Sequence, residues 1–337
     1  MNETLIRACL LERTRHRPVW FMRQAGRYLP EYREMRKKYS LFELCRMPEL
    51  AAEIASIPVR RFNLDAAIVF SDLMIPLTEM GLKIRIDEGV GPVLSRRVEG
   101  MAQVREIKNF DPSSVSFVYE AVKRTIESLS NSVPVIGFAG APYTLASYLI
   151  EGGASRDYLS VKLMMYSKKN VWEALMEKLT DMCTAHLMEQ YRAGCRVVQI
   201  FDSWAGSLSP EDYRDYVLPF TEKITDALSS AGALVIHFST GNPMLIPLMA
   251  CKGVNVVSVD WRLDIRKAMD MLPGKAVQGN LEPALMSGPE KLMLERATEI
   301  LRRTEGRRGH IFSLGHGMPR NARISNVREL VKLIHRS

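Results

Sequence analysis

Val19-Trp20-Phe21-Met22 runs without a break into Arg23-Gln24-Ala25-Gly26-Arg27-Tyr28, and this junction sets the reading of the whole chain. A short apolar run that empties into small, polar and charged residues is how a buried parallel strand ends in a loop. The same junction recurs along the sequence. Val19 to Met22, Ala66 to Phe70, Val133 to Phe138, Arg196 to Phe201, Leu234 to Phe238, Val256 to Val259, Ala276 to Gln278 and His310 to Leu314 make eight such runs. Helical patterns lie between them: Pro48 to Phe62, Ser113 to Leu129, Val161 to Tyr191 (long enough for two helices), Pro210 to Ala231, Pro243 to Ala250, Ile265 to Met271, Pro289 to Arg303 and Asn326 to Ile334. Several start at or just after a proline, the residue whose fixed φ and missing N–H suit a first helical turn.

Eight alternations without an internal composition break predict the α/β class and a single-domain (β/α)8 TIM barrel over residues 1–337. A doubly wound open sheet is the alternative, but no GxGxxG follows the first run. The connection from Leu73 to Asp111 is longer than usual. Its Gly81 to Ile86 and Val93-Leu94 segments, around Gly89 and Gly91, predict an inserted hairpin after the second strand, lying over one end of the barrel.

The bulk chemistry narrows the function. With 47% hydrophobic and 25% charged residues the chain has material for a large core. No N-terminal stretch reads as a signal peptide, and charges interrupt every apolar run well before membrane-spanning length. Five cysteines are scattered with no CxxC, which suits free thiols in a reducing cytoplasm rather than disulfides or a thiolate metal site. A net charge of +8 invites a nucleic-acid partner. The basic residues are dispersed among acids, however, with no long basic run and no stacking motif. A surface that favours anionic small molecules is the more economical account.

In a barrel the active site forms at the C-terminal ends of the strands. Those ends supply Arg23 and Arg27; Ser71 and Asp72; Gly137 to Thr144, then Tyr148; Asp202, Ser203 and Trp204; His237; Asp260, Trp261 and Arg262; Gln278 to Asn280; and Gly315-His316-Gly317. Arginine keeps its charge and grips carboxylates as a planar fork. Arg23 and Arg27, with small Ala25 and Gly26 between them, read as a clamp for a bulky anion, the bland reading being two solvated surface charges. Asp72 reads either as a helix N-cap or as a carboxylate facing the cleft. His316 is exposed by its flanking glycines, while His237 reads as a core histidine. Ser203 lacks the glycine-flanked elbow of a hydrolase nucleophile, and Gln278-Gly279-Asn280 reads as a brace of the barrel mouth.

Taken in order, these stretches resemble the uroporphyrinogen decarboxylase family across nearly the whole chain. The resemblance rests on Pro18 to Tyr28, Gly137 to Leu145, Phe70-Ser71-Asp72, Ser258 to Trp261, Gln278 to Pro283 and Leu314 to Gly317. The chain departs from the family pattern at Ala55-Ser56-Ile57, at Ser313 and over Met318 to Arg323. The resemblance implies a cytoplasmic, homodimeric (β/α)8 carboxy-lyase that needs no cofactor and no metal. Its implied substrate is a small molecule, uroporphyrinogen, with neither nucleic acid nor membrane as partner. It also implies that Arg23, Gln24, Ala25, Gly26, Arg27, Tyr148, Ser203 and His316 contact substrate and that Asp72 is the central acid.

The implied chemistry fits these residue types. An acetate on a pyrrole loses carbon dioxide once the ring is protonated and can accept the electron pair, and a carboxylate beneath the ring would stabilise that cation. The rival on the same barrel, a corrinoid-dependent methyltransferase, requires zinc-binding cysteines at the fifth and eighth strand ends. His237-Phe238-Ser239 and Gly315-His316-Gly317 stand there instead. A tetrapyrrole carrier, the non-enzymatic rival, would have no use for Asp72 under the ring.

Overall fold

The computed structural model of the protein describes residues 2–87 and 91–337. Nine strands are present among them: β1 Ala67–Ile68, β2 Ile84–Asp87, β3 Gly91–Leu94, β4 Val135–Gly140, β5 Val197–Asp202, β6 Leu234–Ser239, β7 Val254–Ser258, β8 Ala276–Leu281 and β9 His310–Leu314. Seven form one curled parallel sheet in the order β1-β4-β5-β6-β7-β8-β9, so each neighbour in space is also the next barrel strand in sequence. Helices cross back between them, as right-handed connections of parallel strands require. The strand-by-strand expectation holds for seven of the eight runs.

The eighth, Val19 to Met22, is not a regular strand. Val19 makes a single parallel bridge to Phe312, Phe312 N donates to Pro18 O at 2.8 Å, and Asp65 N donates to Val19 O at 3.0 Å. Pro18 to Trp20 therefore spans the gap between β9 and the approach to β1. The pairing stops there because Asp65 Oδ2 takes the Val19 N–H at 2.9 Å and the chain turns at once, Gln24 N donating to Phe21 O. Asp65 is buried and also lies 2.8 Å from His16 Nε2 and 2.9 Å from His335 Nε2. The N-terminal segment, the first strand and the C-terminal helix Ile324–His335 are thus tied at the N-terminal face of the barrel.

Proline sets the first turn of helices Pro48–Phe62, Pro142–Glu151 and Pro210–Tyr216. Ser209 Oγ adds a cap by accepting from Asp212 N at 3.0 Å. The Val161 to Tyr191 pattern resolves into two helices, Leu159–Ser167 and Lys169–Arg192. The inserted hairpin is β2 against β3, antiparallel, with Ile84 opposite Leu94 and Asp87 opposite Gly91. Its turn, including Gly89, lies outside the described residues. It docks on the end of helix Pro142–Glu151, Leu94 N donating to Gly152 O and Val98 N to Leu149 O.

The barrel interior carries one polar layer. Trp20 Nε1 donates to Gln278 Oε1 at 2.9 Å, and Gln278 Nε2 donates to Gln199 Oε1 at 3.1 Å and Ser258 Oγ at 2.9 Å. Gln199 and Gln278 are fully buried, so each bond replaces one otherwise made to water. Asn280 Nδ2 donates to the carbonyls of Asp260 and Leu263 at the mouth. The amide brace expected of Gln278-Gly279-Asn280 is present.

Candidate active site

The arginine stretch is a loop braced from below. Gln24 Oε1 accepts from Phe21 N at 3.1 Å, Gln24 Nε2 donates to Ala66 O at 3.0 Å, and Tyr28 OH donates to Gln24 O at 2.7 Å. Gln24 is wholly buried. Its side-chain amide is committed to backbone and braces the loop. Arg23 is exposed and holds a left-handed φ of 59°. That conformation costs a non-glycine residue about 1–2 kcal/mol, and strain of this kind persists where the surroundings dictate it. Ala25, Gly26 and Arg27 are half-buried beside it.

Asp72 meets both readings of its sequence position. Met74 N donates to its Oδ1 at 2.9 Å, which turns the chain into the short helix Ile75–Glu79. Oδ2 makes no hydrogen bond among the described residues. Burial pushes the Asp72 pKa above the ordinary carboxylate range, against the Met74 N–H and Arg23, which pull it down. The carboxylate therefore lies in a low-dielectric spot and within the field of the first arginine.

Tyr148 lies on helix Pro142–Glu151, which leaves the C-terminal end of β4. Its ring packs edge-on against Trp204, with centroids 5.8 Å apart, and Tyr158 packs on Trp204 at 5.7 Å. Burial raises the Tyr148 pKa, Asp72 adds to the rise, and Arg23 opposes it. Trp204 is set by Thr144, whose hydroxyl donates to Asp202 Oδ1 at 2.9 Å and accepts from Trp204 N at 3.3 Å. Ser203 stands half-buried between Asp202 and Trp204 at the same strand end. His237 is fully buried with Nδ1 3.2 Å from Met249 O, as expected of a core histidine, and its Nε2 stands 3.9 Å from Asp202 Oδ2 without a hydrogen bond.

His316 completes the mouth. A Cβ on Gly317 would come within 2.7 Å of Arg23 Cδ, and one on Gly315 within 2.6 Å of Trp261 N. The Trp261 backbone therefore demands glycine at 315, and a side chain at 317 would displace Arg23, reasons invisible in the sequence. Met318 N donates to Met22 O at 2.8 Å, which ties this loop to the arginine stretch. Burial depresses the His316 pKa to about 4, reinforced by Arg23 and Arg262 and opposed by Asp260. The imidazole of the free protein is thus neutral near pH 7.

Sequence reasoning left Arg262 without a role. It pairs with Asp260 Oδ2 at 2.5 Å and stacks over Trp261, 4.3 Å from the ring centroid. Burial works to raise the Asp260 pKa, but hydrogen bonds from Thr240, Arg262 and Gly241 hold it below the usual value. The mouth therefore carries a third guanidinium, acting on His316. Its position after Asp260-Trp261 was the available signal; that it acts on His316 together with Arg23 is set by the fold. Among the described residues the one convergent group of His, Cys, Asp and Glu ligand atoms is His16, Asp65 and His335, at the opposite, N-terminal face.

The arrangement can seat a polyanionic ring: guanidiniums at the rim, and a carboxylate oxygen deeper, near Tyr148. Comparison with known proteins shows the family. The uroporphyrinogen decarboxylase family model matches residues 1–337. Uroporphyrinogen decarboxylase of Carboxydothermus hydrogenoformans is 42% identical over 337 residues, covering 99% of this chain and 96% of its own. That of Streptomyces griseus is 44% identical over 335 residues, covering 99% and 92%. Among solved structures, a methyltransferase from Methanosarcina mazei matches with a TM-score of 0.82 at 20% identity over 99% of this chain and 98% of its own. A B12-independent methionine synthase from Shewanella gives 0.56 at 10% identity over 86% of each chain. At those identities the two structures bear on the barrel fold alone.

Proposed function

The chain belongs to the uroporphyrinogen decarboxylase family, and from that membership we propose that it removes the four acetate carboxyls of uroporphyrinogen III, giving coproporphyrinogen III. The observation that carries the assignment to this site is the free oxygen of Asp72 below a mouth lined by Arg23 and Arg262. Substrate carboxylates would lie on the arginines, and pyrrole N–H groups would donate to Asp72.

Each decarboxylation balances without an added electron acceptor. A proton adds to the ring carbon next to the acetate-bearing position, making the pyrrole cationic. The bond to the carboxylate breaks, its electron pair enters the ring, and carbon dioxide leaves. The exocyclic methylene takes a proton and the ring returns one, so one proton replaces one carbon dioxide. Asp72 lowers the barrier by holding negative charge next to the developing cation. Arg23 and Arg27 serve best on carboxylates other than the scissile one, since a paired carboxylate resists leaving. Tyr148, His316 and water they orient are the proton sources at hand. A bound polyanion would offset Arg23 and Arg262 and so raise the His316 pKa from its resting value.

The test is anaerobic incubation of chelator-treated protein with uroporphyrinogen, followed by oxidation and chromatography. Products with seven to four carboxyls are expected. No loss of carboxyls, or a loss seen only after zinc is returned, would overturn the assignment.

The proposal extends to a homodimer in the cytoplasm. Leu159, Leu163 and Tyr166 are 63%, 53% and 52% exposed along one face of helix Leu159–Ser167, the sort of stripe a second copy covers. The five cysteines are free thiols, and burial pushes that of Cys9 up to about 12, which suits a reducing compartment. Among the described residues no helix is long and apolar enough to cross a membrane. Light scattering of the purified protein tests the dimer; a monomer at micromolar concentration would refute it.

A further inference from the structure

The N-terminal face of the barrel holds a second basic cavity, formed where residues 12–17 meet the loop before β9. Its volume is about 390 Å³, inside the range of roughly 300–1,000 Å³ typical of small-molecule sites. Four arginines line it, Arg13, Arg17, Arg307 and Arg308, against one acid, Glu12. Glu12 is already engaged by Arg7, 3.3 Å away. Arg307 is paired with Asp270 at 2.5 Å, whereas Arg13 and Arg308 are exposed and make no ion pair or hydrogen bond among the described residues.

Arg17 shows that the cluster is incompletely compensated. Its Nη1 and Nη2 donate to Ser337 Oγ and Leu301 O, each at 3.2 Å, but its Nε is buried without a partner. Burial lowers the Arg17 pKa, with Glu305 opposing. A half-buried guanidinium with an unused donor and cationic neighbours carries a desolvation and repulsion cost that an anion would relieve. The exposed edge at Gly306 is open to approach. Gly306 has φ 71°, and a Cβ there would meet nothing within 4 Å.

We propose that this cavity is a binding site for a small phosphorylated anion, of the diphosphate class, separate from the catalytic mouth. Guanidiniums take phosphate oxygens as bidentate forks, and several around one cavity match a ligand with more than one charged group. The lining contains no Phe, Tyr or Trp, so recognition is of the charged group and not of an attached base. The site lies at the strand N-termini, with Gly309 and His310 in its wall, whereas His316 and Asp72 stand at the C-terminal ends. Ligand and substrate would bind together.

The probe is inorganic pyrophosphate, titrated calorimetrically into the full chain at fixed ionic strength. Saturable binding at one site per chain is expected, weakened at least tenfold in the double variant Arg13→Gln/Arg308→Gln. That variant should keep wild-type turnover and melting temperature, because both residues are exposed and remote from the mouth. Arg23→Lys should bind pyrophosphate as wild type does. Absence of saturable binding up to about 1 mM, binding indifferent to the double variant, or loss in Arg23→Lys would each overturn the proposal.

Discussion

Replacing Asp72 by Asn separates the two jobs its carboxylate performs. Oδ1 accepts from Met74 N at 2.9 Å to start a helical turn, and the Asn carbonyl can do the same, since Asn and Asp cap about equally. The negative charge on the other oxygen has no such substitute. At about 4 Å from a pyrrolic cation and an effective dielectric near 20, a full charge pair is worth about 4 kcal/mol. Spreading the cation over the ring reduces this, so about 3 kcal/mol of transition-state stabilisation is lost, or about two orders of magnitude in kcat. Burial raises the Asp72 pKa, so the wild-type rate should fall on the acid side at a pH above the ordinary carboxylate value. The variant should lack that limb. The assay is anaerobic turnover across pH beside a thermal melt. A folded variant with wild-type kcat would refute the role given to Asp72 and leave it a helix cap, for which Asn serves about as well.

Three further outcomes follow from other parts of the molecule. Lys at Arg23 or Arg27 keeps the charge and loses the fork, so kcat/KM should drop at least tenfold; normal steady-state kinetics in both would leave them as surface charges. Burial depresses the pKa of His186 to about 3 and of His310 to about 4. The unfolded chain therefore binds protons that the folded one refuses below about pH 6.5, and stability should fall from there towards pH 4, by up to about 1.4 kcal/mol per pH unit for each histidine. His186→Gln should reduce the slope, and an unchanged slope in denaturant titrations would dismiss the effect. Gln278→Leu strands the Trp20 N–H and the Gln199 amide inside the barrel, costing about 2–3 kcal/mol; urea midpoints matching wild type would show that the layer relaxes.

The alternation of apolar runs and proline-led helices was enough for the barrel, because burial on both faces of a parallel strand leaves a local mark in composition. Helix starts at Pro48, Pro142 and Pro210 were legible for the same reason, since the ring acts on its own φ. Locality also sets the limit. Val19 to Met22 has the composition of a strand, yet its pairing is cut short by Asp65 and by the turn at Gln24. Gln24 sits between an exposed and a half-buried arginine and is itself buried, because the backbone it braces comes from a different segment. The glycines around His316 are small on account of Arg23 and Trp261, and Arg262 reaches the field of His316 only through the closure of the barrel. The basic cavity joins residues 12–17 to 306–309, stretches that in sequence look like dispersed surface charge. Propensity and burial pattern act over a few neighbouring residues and are written in the chain. Desolvation, charge coupling and close approach depend on distances between remote segments, which only the folded barrel sets.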